Sequence, residues 1–441
     1  MAQIIYHFPK GFLWGSATAS HQVEGGNTNN NWYAWEQQEG RIKNGHHSGL
    51  ACDWWGGRWK EDLDRAAETG QNAHRLSVEW SRIQPSPDHW DEGALDHYRK
   101  IIRGLLDRNL TPMVTLHHFS DPLWLMETGG WENDKTPALF AVYTRKVVEA
   151  LKEYVNLWIV INEPNVYTNG GYMDGTFPPG KHSNVAAFKV MLNLLRGHGA
   201  AYRVIHELQP EAQVGTCTHY RSFKAAHDWN PLDHFIVNQL NATFNDSFAN
   251  ATTSGRFAFL NKTVSVPEVL KTQDFVGVNY YSRDMVQFTL KPGDVFNKRY
   301  YPPDAQLSTT GFIANIPEGM FDALKWAVKF RLPVIVTENG IEDADDHLRP
   351  QYMLEHIHQI WRGLNFNWPV KGYFHWSLVD NFEWERGWTQ RFGLWGLNPE
   401  TQARIRRKSV DLYEAICKTN AITSDMVEKY APEAYKRLFP E

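Results

Sequence analysis

A (β/α)8 barrel, the TIM-barrel fold with long loops after its strands, is the α/β fold class that the sequence predicts. Eight short apolar runs recur along the 441 residues, at 12–18, 73–78, 112–116, 157–161, 213–218, 275–278, 334–337 and 370–376. Stretches with the apolar spacing of an amphipathic helix lie between these runs. Strands that alternate with helices in this way favour a parallel barrel, and long loops account for the length of the chain.

The helical stretches are recognised by apolar residues three and four positions apart. The clearest stretch predicts one apolar face, made of Leu95, Tyr98, Ile101, Ile102, Leu105 and Leu106. Others are predicted at about 138–154, 186–208, 318–330 and 351–364. A doubly wound open sheet would show a similar alternation, but no Gly-x-Gly-x-x-Gly turn follows the first run. We therefore expect residues 1–441 to form a single barrel domain.

Composition and charge set bounds on location and partners. A net charge of -5 and a pI near 6.4 give no electrostatic reason to expect nucleic acid or an anionic membrane as a partner. The sequence has no run of 18 apolar residues, and its first residues lack the pattern of a signal peptide. Cys52, Cys217 and Cys417 are odd in number and far apart, which argues against a disulfide framework or a zinc site. The expectation is a cytoplasmic protein that needs no metal or cofactor.

Two of the apolar runs end in a glutamate. The run at 157–161 leads into Asn162-Glu163-Pro164, and the run at 334–337 leads into Glu338-Asn339-Gly340. Both runs are predicted to be buried parallel strands, and the C-terminal ends of such strands carry the chemistry of α/β barrels. Two carboxylates at this position indicate either an acid with a nucleophile or an acid with a base.

Polar and aromatic side chains stand at or near the ends of most other runs, namely Gln22, Arg75, His118, Asn279, Tyr281 and Trp376. A barrel gathers them at one mouth, where they would suit a polyol, although any one of them alone could be structural. The nineteen tryptophans have two explanations, because indole faces stack on sugars but also pack a large barrel. The nineteen histidines leave a metal-dependent hydrolase as an alternative. Against it, His117 and His118 are adjacent in a strand and would face opposite ways.

The chain resembles the family 1 glycoside hydrolases, the retaining β-glucosidases and β-galactosidases, over essentially its whole length. The matching motifs are Phe12-Leu13-Trp14-Gly15-Ser16-Ala17-Thr18-Ala19-Ser20, His21-Gln22-Val23-Glu24-Gly25, Ile161-Asn162-Glu163-Pro164, Val336-Thr337-Glu338-Asn339-Gly340 and Trp376-Ser377-Leu378-Val379-Asp380-Asn381-Phe382-Glu383-Trp384.

This resemblance implies an exo-acting β-glycosidase that hydrolyses terminal β-D-glucosyl residues, with β-D-galactosyl and β-D-fucosyl residues as further candidates. Its substrates would be small molecules, either oligosaccharides or aryl and alkyl glycosides. A transglycosidase that uses the same covalent glycosyl-enzyme and a non-catalytic sugar-binding homologue are the alternatives.

The resemblance also assigns the catalytic roles. Glu338 matches the nucleophile of the family and Glu163 the acid/base, in a reaction that needs the two carboxyls roughly 5–5.5 Å apart. Arg75 and Tyr281 match groups beside the nucleophile, where a cation and a hydroxyl donor favour its ionised form. Glu163 would then hold the proton near neutral pH. Asn279 matches a residue of the same pocket.

Further matches describe the sugar site. Gln22, His118, Asn162, Glu383 and Trp384 match hydroxyl-binding residues, Trp376 matches the aromatic platform under the ring, and Phe392 matches a residue that lines the pocket. Phe119 is a departure, because the family usually has a tryptophan there, and an indole N–H near the 3-hydroxyl is lost. The carboxylate of Glu383 is expected to disfavour a phosphorylated sugar.

Overall fold

Eight parallel strands form a closed barrel in the computed structural model, which describes residues 3–291 and 296–440. Each strand pairs with the next one in sequence, and the eighth pairs with the first. The strands are β1 (Leu13–Ala17), β2 (Ala73–Ser77), β3 (Thr111–His117), β4 (Leu157–Asn162), β5 (Gln213–His219), β6 (Phe275–Asn279), β7 (Val334–Asn339) and β8 (Val370–Trp376). The predicted fold class and all eight predicted strands are confirmed.

The strands are apolar on both faces because both faces are covered. Side chains of alternate residues fill the barrel interior, and the others pack under the surrounding helices. In β4, for example, Trp158, Ile159, Val160 and Ile161 are all fully buried. This double burial is why the runs show no alternation of polar and apolar residues.

Helices surround the barrel, and the predicted helical stretches are confirmed with small shifts at their ends. Those of eight residues or more are Trp59–Glu68, Glu92–Leu106, Thr136–Leu151, Asn184–Leu208, Pro231–Leu240, Ser247–Ser254, Pro317–Ala327, Arg349–Asn365 and Lys408–Thr419. Shorter ones are Ser20–Val23, Asn31–Glu36, Trp80–Ile83, Leu123–Glu127, Pro164–Thr168, Ser424–Tyr430 and Tyr435–Leu438. Small sheets outside the barrel use Ile5–His7 with Ala421–Thr423, Ser222–Ala225 with Arg283–Phe288 and Asn297–Tyr300, Arg256–Phe259 with Lys262–Ser265, and Trp395–Leu397 with Arg404–Arg406.

One residue of the predicted apolar helix face is exposed, so its placement there was wrong. In the helix Glu92–Leu106, the side chains of Leu95, Tyr98 and Leu105 are buried, but Leu106 is 41% exposed. Leu106 is the last residue of the helix, so it lies at the end of the apolar face, where the packing against the barrel gives way to solvent. Asp91 caps the start of this helix, because its carboxylate accepts the N–H of Ala94 at 3.0 Å.

Tryptophan serves mainly to pack the protein. Most tryptophans lie in the core, among them Trp14, Trp32, Trp54, Trp80, Trp131 and Trp158. The three cysteines are buried and unpaired. No helix within residues 3–291 and 296–440 combines the length and apolar character needed to cross a membrane. Met1 and Ala2, which belong to the segment tested for a signal peptide, lie outside the described residues.

Candidate active site

Glu163 and Glu338 line one cavity at the mouth formed by the C-terminal ends of the strands. Predicted residues that line it with them are His118, Phe119, Asn162, Tyr281, Trp376, Glu383, Trp384 and Phe392. The loops contribute Val166, Phe177, Arg221, Phe312, Ile313, Glu385 and Arg386. Gln22, Arg75 and Asn279 do not form the wall but hydrogen-bond to residues that do. The structure thus brings every predicted site residue into one constellation.

Both carboxylate oxygens of Glu338 accept a hydrogen bond. Nη1 of Arg75 donates to Oε1 at 2.5 Å, and the hydroxyl of Tyr281 donates to Oε2 at 2.6 Å. Arg75 is fully buried and Glu338 is 4% exposed. A buried guanidinium paired with a buried carboxylate stabilises the charge of each, and two donors stabilise Glu338 further as an anion.

Burial opposes that stabilisation. It raises the pKa of Glu338 to about 7, and the carboxyl of Glu163 acts in the same direction, while Arg75 and Tyr281 lower the pKa. The two donors were expected to favour the ionised form of Glu338, but the loss of solvent has the larger influence on its pKa. Glu338 holds both donors and is therefore the carboxyl of the two that is better placed to carry a negative charge.

Glu163 is held on one side only. Its Oε1 accepts from Nδ2 of Asn279 at 2.8 Å and contacts Nδ1 of His219 at 3.1 Å. No donor within residues 3–291 and 296–440 reaches its Oε2, so this oxygen is available to carry a proton into the cavity. The backbone of Glu163 is left-handed, with φ of 44°, and its N–H is fixed by the carbonyl of Cys217 at 2.8 Å. Such strained backbone at a non-glycine residue is often found at functional sites.

A buried hydrogen-bond network links the floor of the cavity to the two glutamates. Asn162 Oδ1 accepts from Nη2 of Arg75 at 2.7 Å and from Asn279 at 3.1 Å, so its Nδ2 must donate to Nε2 of His118, which lies 3.0 Å away. Burial and Arg75 lower the pKa of His118 well below its usual range, so the ring is neutral. Nε2 then accepts and Nδ1 carries the hydrogen. That Nδ1 is buried and has no partner among the described residues.

Glu383 adds a third carboxyl to the cavity. Nε2 of Gln22 donates to it at 3.1 Å, while Oε1 of Gln22 is buried without a partner among the described residues. Burial, with the neighbouring carboxyls of Glu385 and Glu338, raises the pKa of Glu383 to about 8. Glu383 therefore holds its proton at neutral pH. The expectation that Glu383 disfavours a phosphorylated sugar stays a prediction.

Aromatic rings form the rest of the wall. The ring of His118 is stacked near Trp376, with centroids 6.1 Å apart, and near Trp384 at 5.9 Å. Phe119 packs edge-on against Trp384 at 5.1 Å. Phe392 lies edge-on to Tyr281 at 6.1 Å. Apart from Trp376 and Trp384, the tryptophans do not line this cavity.

The sequence around Glu338 is explained by close packing behind it. A Cβ on Gly340 would lie 1.9 Å from the carbonyl oxygen of Trp376, so only glycine lets the end of β7 approach the end of β8. Asn339 donates to the carbonyl of Tyr280 at 2.7 Å and to the hydroxyl of Tyr352 at 2.9 Å. Both residues therefore fix the strand end that presents Glu338.

His219 is a site residue that the sequence argument missed. It is the last residue of β5, and it contacts Glu163 while its ring stacks on Tyr281 with centroids 5.6 Å apart. The rule that found the other strand ends would have found it, because it directly follows the apolar run at 213–218. The loop residues Arg221 and Arg386 carry no such signal, since their loops have no periodic pattern.

The described residues offer no metal site, because no three His, Cys, Asp or Glu among residues 3–291 and 296–440 are grouped so as to hold an ion. His117 faces away from the cavity and contacts Asp121 at 3.0 Å, as the alternation of side chains in a strand requires.

Comparisons with known proteins identify the family of this chain. The model of glycosyl hydrolase family 1 matches residues 5–422. The 1,4-beta-D-glucan glucohydrolase of Thermotoga neapolitana is 33% identical over 448 residues, which cover 94% of this chain and 99% of that protein. The beta-galactosidase of Pyrococcus woesei is 31% identical, with 96% and 99% covered.

A solved structure is similarly close. The beta-glycosidase from Pyrococcus horikoshii superposes with a TM-score of 0.90 at 35% identity, and the match covers 97% of this chain and 98% of that one. The family model matches nearly the whole chain, and a relative above 30% identity matches it over almost its full length. The chain therefore belongs to glycosyl hydrolase family 1 and is a β-glucosidase-type glycosidase.

Proposed function

We propose that this chain, as one catalytic domain, hydrolyses terminal β-D-glucosyl residues with retention of configuration, through a covalent glycosyl-enzyme on Glu338. The observation that carries the proposal is that two carboxyls in one cavity differ in their hydrogen bonds. Glu338 accepts from Arg75 and Tyr281 on both oxygens, whereas Glu163 has one oxygen free of any donor among the described residues. One group is thus suited to attack as an anion and the other to deliver a proton.

In the first step, an oxygen of Glu338 forms a bond to the anomeric carbon while the bond to the leaving oxygen breaks. The proton on Glu163 moves to that leaving oxygen, so the aglycone departs as a neutral alcohol. Glu338 becomes an ester and loses its charge. Tyr281 and Arg75 keep the carboxyl oriented as it reacts.

In the second step, Glu163 acts as a base. With the charge of Glu338 gone, an ionised Glu163 no longer faces a like charge, and it can take a proton from water. The resulting hydroxide attacks the anomeric carbon from the side the aglycone left, and Glu338 is released as a carboxylate. Two inversions give a product with β configuration.

The glycone site is supported by buried polar atoms that lack a protein partner. Nδ1 of His118 is a donor and Oε1 of Gln22 is an acceptor, and neither is satisfied within the described residues. Buried polar groups are almost always paired, so hydroxyls of a bound sugar would complete them. Glu383, protonated at neutral pH, can both donate to and accept from a hydroxyl. Trp376 would supply an apolar face against the ring.

A kinetic panel tests the substrate assignment. We expect p-nitrophenyl β-D-glucoside and cellobiose to be hydrolysed, together with p-nitrophenyl β-D-galactoside, β-D-fucoside and lactose at rates that rank the glycone preference. The α-glucoside serves as the control and should be inert. Turnover of the α-glucoside but not of the β-glucosides would contradict the proposal.

The pH dependence tests the role of His219. In His219→Phe the ring can still stack on Tyr281, but the N–H donor to Oε1 of Glu163 is lost. Loss of one net hydrogen bond of about 1 kcal/mol corresponds to a shift of roughly 0.7 pH unit. Because that donor favours the ionised form of Glu163, its loss should move the high-pH limb of kcat/KM upward by about that amount.

The matched control for this substitution is His89→Phe, which changes an exposed histidine outside the cavity. Its pH profile should equal that of the unmodified enzyme. An unchanged high-pH limb in His219→Phe would show that His219 does not influence the proton on Glu163.

A further inference from the structure

A second groove adjoins the mouth of the catalytic cavity. Glu385 and Arg386 belong to the walls of both, so the groove continues outward from the cavity. Its remaining wall is formed by Trp35, Gly40, Arg41, Lys43, Gly175 and Thr176. None of these six residues was predicted to have a role, and none is used by the reaction described above.

The groove is positively charged although the chain as a whole carries -5. Its wall holds Arg41, Lys43 and Arg386 against the single carboxyl of Glu385, which pairs with Arg386 at 2.9 Å. Neither Arg41 nor Lys43 forms an ion pair with any described residue, and the only hydrogen bond that the Arg41 side chain donates to a described residue goes to the neutral amide oxygen of Gln38, at 3.3 Å. Two cations beside the mouth are therefore uncompensated.

Arg41 is held in place before any ligand arrives. Its guanidinium lies 4.0 Å from the centroid of the Trp35 ring, and Trp35 is 3% exposed. Gly180, with φ of 77°, lets its loop close on that indole, because a Cβ there would lie 2.5 Å from the ring. A planar guanidinium fixed on an aromatic face loses little freedom when it binds an oxyanion through two N–H groups.

We propose that this groove binds a negatively charged substituent, a carboxylate or a sulfate, on the leaving group of the β-glycoside. The inference rests on the proposed function, in which the closed end of the cavity takes the terminal sugar and the aglycone extends through the mouth. The groove lies beyond the mouth, so it meets a part of the aglycone that is distant from the bond being cleaved. Arg41 and Lys43 supply the charge that recognises it.

Matched substrates test this inference. We expect the enzyme to cleave cellotrionic acid, which is cellotriose oxidised to a carboxylate at its reducing end, with about five- to tenfold higher kcat/KM than cellotriose at low salt. The preference should shrink at high salt, because Arg41 and Lys43 are exposed and salt screens exposed charges. Cellotriose carrying a 6-sulfate on its reducing-end unit distinguishes sulfate from carboxylate as the favoured group. If neither anionic substrate is preferred over cellotriose, the inference is wrong.

The variant Arg41→Gln/Lys43→Gln removes both uncompensated cations and should lower the preference ratio to about one. Its activity on the short, neutral p-nitrophenyl β-glucoside should be unchanged, which also shows that it is folded. The control variant Arg256→Gln/Lys262→Gln removes two exposed cations that do not line the groove and should keep the full ratio. A ratio retained in the groove variant would overturn the inference while the proposed function stands. Failure of the unmodified enzyme on p-nitrophenyl β-glucoside would overturn the proposed function, and the inference with it.

Discussion

Replacing Glu338 with glycine is expected to lower kcat/KM for p-nitrophenyl β-glucoside by about 10⁴-fold or more, because the bond-forming group is removed. The space left behind lies beside Arg75 and Tyr281, which both donated to the lost carboxylate. A small anion can therefore enter and be held there. Added azide should restore turnover and yield the α-glucosyl azide, because the azide attacks from the face that Glu338 occupied.

The control for Glu338→Gly must show that the variant folds. Without the carboxylate of Glu338, the guanidinium of Arg75 stays buried without its partner. An unpaired buried charge can destabilise a protein by about 3–5 kcal/mol. Thermal unfolding should be recorded with and without azide, and Glu338→Gln provides a variant of similar volume. Full activity of a folded Glu338→Gly, or a rescued product with β configuration, would show that Glu338 is not the nucleophile.

Replacing Glu163 with alanine is expected to produce losses that depend on the leaving group. For cellobiose, whose departing alcohol needs a proton, the rate of the first step should fall by about 10²–10⁴-fold. For 2,4-dinitrophenyl β-glucoside, whose leaving group departs as a stable anion, the first step should be nearly unaffected. Azide should accelerate the second step of this variant and give the β-glucosyl azide, opposite in configuration to the product of the Glu338 variant.

Single-turnover and steady-state kinetics on both substrates separate the two steps. Glu163→Gln is the matched variant, because it keeps an oxygen that can accept from Asn279 but cannot deliver a carboxylic proton. It should show the same dependence on leaving group. Equal losses on cellobiose and on the dinitrophenyl glucoside would rule out an acid role for Glu163.

The barrel could be predicted because its strands are buried on both faces and are therefore apolar throughout. The run at 157–161 illustrates this, since it became β4 with Glu163 immediately after it. The C-terminal ends of the strands in a parallel barrel all lie at one mouth, so Glu163, Glu338, Arg75 and Tyr281 could be grouped from the sequence alone. The placement of Leu106 on the buried face was wrong, because Leu106 is the last residue of its helix and is exposed there.

Sequence patterns did not predict which loop residues lie at the mouth or how burial shifts the pKa values of the carboxyls. Arg221, Arg386 and the groove around Trp35 are brought to the mouth by loops whose paths are fixed by specific contacts, such as the packing of Gly180 on Trp35. The raised pKa values of Glu338 and Glu383 follow from the depth of the cavity, which sequence patterns do not measure. Because the proposed nucleophile Glu338 would have to be ionised to attack, we expect activity to be lost on acidification at a higher pH than an ordinary exposed glutamate would require.

Double displacement with retention fixes the configuration of the first-formed product, which can be observed in solution. Proton NMR spectra recorded during rapid hydrolysis of p-nitrophenyl β-glucoside show which anomer of glucose is released before mutarotation mixes the two. The proposed roles of Glu163 and Glu338 predict that the β-anomer appears first and the α-anomer follows only as mutarotation proceeds. Initial release of the α-anomer would contradict those roles, since it would require a single direct attack by water.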